Sequence, residues 1–160
     1  MYLPLTQTMK LVYELRIDLQ RNPERMALTQ KLTLDKSRPH MGLRGVGGLW
    51  GSDEWWAATR DGKLRRDDVS GVITRTSFAG QDSRWGDEVN CFALRLDDGS
   101  ERSDSIYVNE RRDAKLFKPG HRVAWAAVLD PLKNPHEPFT DDGCVKTILE
   151  MAVSLKPEAA

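Results

Sequence analysis

The strongest constraint on the fold is a period-two alternation of apolar and polar residues, which fits a strand with one buried face. It opens at Met9: Met9, Leu11, Tyr13, Leu15, Ile17 and Leu19 take the odd positions, with Lys10, Glu14, Arg16 and Asp18 between them. Arg21-Asn22-Pro23-Glu24 has turn chemistry, since Pro23 fixes φ and has no N–H to donate. Met26, Leu28, Leu32 and Leu34 then resume the alternation. Residues 1–34 are therefore expected to form one long antiparallel hairpin.

Residues 35–68 break the rhythm. Pro39, Gly42, Gly45, Gly47, Gly48 and Gly51 punctuate an irregular, Gly- and Trp-rich segment. Inside it, Ser52-Asp-Glu-Trp-Trp-Ala-Ala-Thr predicts a short helix with Ser52 as N-cap, ended by Asp61-Gly62. Strand signals return at close spacing from residue 69. They cover 69–78, 89–96, 102–108, 121–129 and 145–155, with one short helical turn expected over 110–117. Asp97-Asp98-Gly99-Ser100 is a hairpin turn, because Asp-Gly tolerates positive φ. Residues 121–129 are apolar on both faces, which predicts a central strand covered on both sides.

The sum is about seven strands and one or two short helices in a single all-β domain spanning 1–160, either an antiparallel sandwich or a partly open barrel. A chain of this length can bury about 70% of its unfolded surface, so it needs no staple. The five strands of 69–155, with a helical turn between the third and fourth, resemble the oligonucleotide/oligosaccharide-binding (OB) barrel. That resemblance implies an OB-like strand order. It does not fix function.

Motifs for chemistry are wanting. His40, His121 and His136 are far apart and share no metal-ligand spacing, so no metal and no cofactor are expected. Asp67-Asp68, Asp97-Asp98 and Asp141-Asp142 read as turn formers. Gly45-Val-Gly47-Gly48-Leu-Trp50-Gly51 is no dinucleotide fingerprint, because Trp50 stands where the third glycine belongs. Cys91 and Cys144 lack adjacent bases and read as reduced, buried thiols. No nucleophile motif is present, and the chain is expected not to be an enzyme. The N-terminus has no signal-peptide pattern and no apolar run approaches the roughly 20 residues of a membrane span. A cytoplasmic protein without membrane contact is expected.

The tryptophans carry the functional reading. Trp50, Trp55 and Trp56 crowd one irregular segment beside Arg44, Arg60, Lys63, Arg65 and Arg66. Three roles fit: a plug in the core, a protein-binding surface of Trp and Arg anchors, or a groove where bases stack on rings and cations track phosphates. Trp55 and Trp56 are adjacent and point about 100° apart on a helix, so both are not expected to be fully buried. Arg84 and Trp85 lie in a polar loop and are a second anchor candidate.

Charge separates the partners. Lysine and arginine number 24, aspartate and glutamate 24. By segment, residues 1–34 carry +2, residues 35–68 +1, residues 69–109 −3 and residues 110–160 zero. The OB-like half holds the most acidic segment, which repels a phosphate backbone rather than steering it. A non-enzymatic protein-binding module is therefore expected, of the kind found in small bacterial immunity or inhibitor proteins and accessory subunits. The alternative is a single-stranded nucleic-acid binder working through Trp50–Arg66.

Overall fold

The computed structural model describes residues 2–78, 89–138, 140 and 142–158. Seven antiparallel strands form one sheet: β1 (Met9–Glu14), β2 (Arg65–Arg66), β3 (Val69–Ser77), β4 (Cys91–Leu96), β5 (Glu101–Ser105), β6 (Arg122–Pro131) and β7 (Cys144–Ser154). The order is β1-β7-β6-β3-β4-β5, with β2 paired to β6. The mostly-β expectation holds, and the both-sides-apolar strand, β6, is central. The sheet is not closed into a barrel. Among the described residues no strand but β4 pairs with β5, whose sequence ERSDS offers no apolar face to fold inward. The OB-like strand order is present as β5-β4-β3-β6-β7, with its helical turn (a 3-10 helix, Arg111–Leu116), and the sheet stays open between β5 and β7.

The N-terminal hairpin is overturned. Only β1 is a strand; α1 (Leu15–Arg21) and α2 (Pro23–Leu34) follow it. Odd-numbered positions also satisfy an i, i+4 spacing, and Leu15 and Leu19 are buried that way on α1. Pro23 opens α2 as its first helical residue after Asn22, the place where a missing N–H costs nothing. With α3 (Asp53–Arg60) the described residues hold three α-helices where one or two short ones were expected.

The chain divides into two compact units. The first holds residues 1–14, 68–126 and 150–160; the second holds 15–67 and 127–149. In the first, β1 pairs with β7 from Met9↔Ser154 to Glu14↔Glu150, with a register shift between Leu11 and Tyr13. That shift lets the consecutive residues Val12 and Tyr13 both be buried. Phe92 packs against Phe117 and Trp125 at centroid distances of 5.5 and 6.2 Å. Gly71 lets β3 approach β4 closely, since a Cβ there would lie 2.8 Å from the Arg95 carbonyl oxygen.

Two polar side chains tie down the ends of this unit. Asn109 lines the outer edge of β1: its backbone N–H donates to Val12 O, its Oδ1 accepts from Glu14 N–H, and its Nδ2 donates to Glu14 O. Capping an edge in this way denies it to other chains. Glu150 Oε1 accepts the backbone N–H groups of Tyr2 and Leu3, at 2.8 and 2.9 Å, and so holds the N-terminal arm.

Candidate functional site

The tryptophan segment lies in the second unit, built as the sequence predicts. Ser52 Oγ accepts the Trp55 N–H at 3.2 Å and caps α3, with Asp53 and Glu54 in the first turn. What the helix presents differs from the anchor reading. Trp50, Trp55 and Trp56 are 5%, 0% and 8% exposed, so the core role is the one the rings take. As expected of adjacent helical residues, only Trp55 is fully buried, although Trp56 also belongs to the core. The two rings meet edge-to-face at 4.9 Å, Trp50 meets Trp55 likewise at 6.3 Å, and the Arg16 guanidinium covers Trp56 at 3.9 Å. Arg25 lies over Trp50 at 5.3 Å. Rings covered in this way give bases no stacking platform, which removes the physical basis of the nucleic-acid alternative.

The polar end of Trp55 is satisfied by a buried carboxylate. Its Nε1–H donates to Asp130 Oδ2 at 3.0 Å, and among the described residues Asp130 Oδ1 has no hydrogen-bond partner. Desolvation pushes the Asp130 carboxyl above the ordinary carboxylate range, against the lowering effect of the Trp55 hydrogen bond. The folded state then binds more protons than the unfolded one. Stability is lost as pH rises from about 4 through the raised value. Asp130→Asn keeps an acceptor for Trp55 and removes the titration. Relative to the wild type, its unfolding free energy in urea melts is expected to improve between pH 4 and pH 7; a difference that does not change with pH refutes the shift.

The basic residues of the segment are dispersed. Arg44 donates to Leu132 O at 3.2 Å, Arg60 pairs with Asp61 at 3.6 Å, and Arg65 pairs with Asp142 at 3.6 Å. Lys63 is exposed, and Arg66 is half-buried on β2. Arg84 and Trp85 lie outside the described residues. Both cysteines are free and half-buried, where buried thiols were expected. Among the described residues no group of three or more His, Cys, Asp or Glu side chains could hold a metal, and no helix is long and apolar enough to cross a membrane.

Two features escaped the sequence reading. The first unit has a cavity of about 980 Å³, walled by the arm residues Tyr2, Leu3 and Leu5, by Val69 and Trp125, and by Leu155. The second is Lys133, whose Nζ donates to the carbonyls of Leu32, Asp35 and Arg38 at 2.8, 3.2 and 3.1 Å. A cation there satisfies the loose carbonyls at the end of α2 and the turn after it.

The family model Immunity protein RhsI2 matches residues 9–154, from the first residue of β1 to the last of β7. The chain belongs to the RhsI2 immunity protein family. It is an immunity protein, and it binds a partner toxin. The family match takes in both units and leaves the N-terminal arm and the last six residues outside. No curated protein matches the chain.

Proposed function

We propose that this immunity protein acts by occupancy alone: it binds its toxin one-to-one in the bacterial cytoplasm and catalyses nothing. The family match over residues 9–154 carries this reading. The fate of the buried ionisable groups supports it. Asp113 pairs with Lys10, His121 Nδ1 lies 2.8 Å from the Ser154 carbonyl oxygen, Asp130 holds Trp55, and Glu150 holds the arm. Each is engaged in holding the fold together. Arg84 and Trp85 are proposed as one anchor of the partner surface. The Trp50–Trp55–Trp56 plug is proposed to act indirectly, as the base on which exposed Arg44, Arg60, Lys63 and Arg65 stand.

The test is a titration of the purified toxin domain encoded beside the immunity gene. Toxin activity is expected to fall linearly and reach zero at one equivalent of immunity protein. Trp85→Ala is expected to weaken the complex in the same titration. Loss of activity at a small fraction of an equivalent would mean turnover, and the reading would be abandoned.

A further inference from the structure

Helix α2 packs on the fold by one side only. None of its twelve residues is buried. Its inner side is nevertheless well defined. Met26 lies where a Cβ on Gly51 would stand 2.7 Å from its sulfur, Gln30 Nε2 donates to Trp50 O at 2.9 Å, and Thr33 lies against Gly45. Residues 26, 30 and 33 are one helical face. On the other side run Leu28, Lys31 and Leu34, each three residues from the next. Leu28 is 66% exposed and Leu34 65%.

Leu28 and Leu34 flank Lys31 on one i, i+3 ridge, so the solvent side of α2 carries an exposed apolar pair. Their surroundings are basic. Residues 15–44 carry seven lysines and arginines against three acidic residues, within a chain of zero net charge. Among the described residues Lys31 and Lys36 enter no ion pair. The face is also held still. Lys133 bonds three carbonyls at and beyond the C-terminus of α2, and Arg25 pairs with Asp18 at 2.8 Å near its start. A face ordered beforehand loses little freedom on binding.

We propose that the outward face of α2, Leu28–Lys31–Leu34, is the toxin-docking surface, and that it fits an apolar groove with an acidic rim on the toxin. This rests on the toxin-binding reading above. The leucines supply the desolvated centre, and Lys31 and Lys36 supply the steering charge. The helix enters the groove by its i, i+3 side chains, as amphipathic helices do.

The experiment measures binding of the purified, inactivated toxin domain encoded beside the immunity gene to the wild type and to three variants. Leu28→Asp with Leu34→Asp is expected to raise Kd by roughly 100-fold. Lys31→Glu is expected to raise it about tenfold, chiefly through the on-rate, and the wild-type on-rate should fall as salt rises. Leu155→Asp, on the other unit, is expected to leave Kd unchanged. All these side chains are exposed, so melting temperatures should stay close to wild type. If the wild type binds and the α2 variants bind equally well, this inference fails while the proposed function stands. A wild type that does not bind the toxin overturns both. Should the double variant only dissociate a homodimer, or only abolish binding to phosphatidylserine vesicles, with toxin Kd intact, the face belongs to a second copy or to lipid and the proposal is overturned.

Discussion

Trp55→Ala is expected to destabilise the protein by about 3–5 kcal/mol, the range for emptying a large aromatic from a core. Trp55 is wholly buried, contacts Trp50 and Trp56 edge-to-face, and carries the hydrogen bond to Asp130. Truncation therefore removes packing and also leaves Asp130 with neither oxygen bonded. Trp55→Phe separates the two effects. It keeps most of the ring, and its cost of about 1–3 kcal/mol is mainly that of the orphaned carboxyl. Adding Asp130→Asn to Trp55→Phe should recover part of that cost at pH 7, because an unpaired buried charge is worse than an unpaired neutral group. Urea unfolding of the four proteins reads all of this. A partner anchor would behave otherwise: Trp55→Ala would leave stability within 1 kcal/mol of wild type and weaken only toxin binding. Such a result would return the tryptophan trio to the surface.

The β-rich half was legible because its cues are local. Period-two stretches bounded by Asp98-Gly99 and Lys118-Pro119-Gly120 became β3 to β7 within a few residues, and Ser52 capped α3 as its sequence implies. The N-terminal segment was illegible for an equally local reason. A run of odd-numbered apolar residues satisfies a strand at i, i+2 and a helix at i, i+4 alike. On α2, whose inner side is only half-buried, the pattern had little core to report. The polar ties were beyond reach altogether. Lys133 and Leu32 are 101 residues apart in sequence, Asn109 and Glu14 are 95, and Glu150 and Leu3 are 147. The tryptophan cluster did mark an important segment. Whether rings plug or dock depends on what covers them, and Arg16 over Trp56 is visible only in three dimensions.

Gly143→Ala is expected to cost about 3 kcal/mol or more and to reach the partner surface indirectly. Gly143 has φ +74°, where a side chain carries about 1–3 kcal/mol of strain. A Cβ there would also lie 2.6 Å from Pro135 O and 2.8 Å from Pro135 Cα, backbone atoms that no rotamer change can move aside. Gly62 is the control: its φ is +77° but nothing lies within 4 Å of a Cβ, so Gly62→Ala should cost only about 1 kcal/mol. The excess at Gly143 measures the overlap. Gly143 O accepts the Leu132 N–H, Lys133 N–H donates to Gly42 O, and Lys133 Nζ holds the end of α2. Displacing residue 143 therefore strains Lys133, which holds the C-terminal end of α2, the proposed docking helix. Gly143→Ala and Lys133→Met should then be non-additive in urea unfolding, as changes within one network are. Below its melting temperature, Gly143→Ala should bind the toxin more weakly than Gly62→Ala does. Equal costs for the two glycine variants, or strict additivity with Lys133→Met, would break the link from this turn to α2.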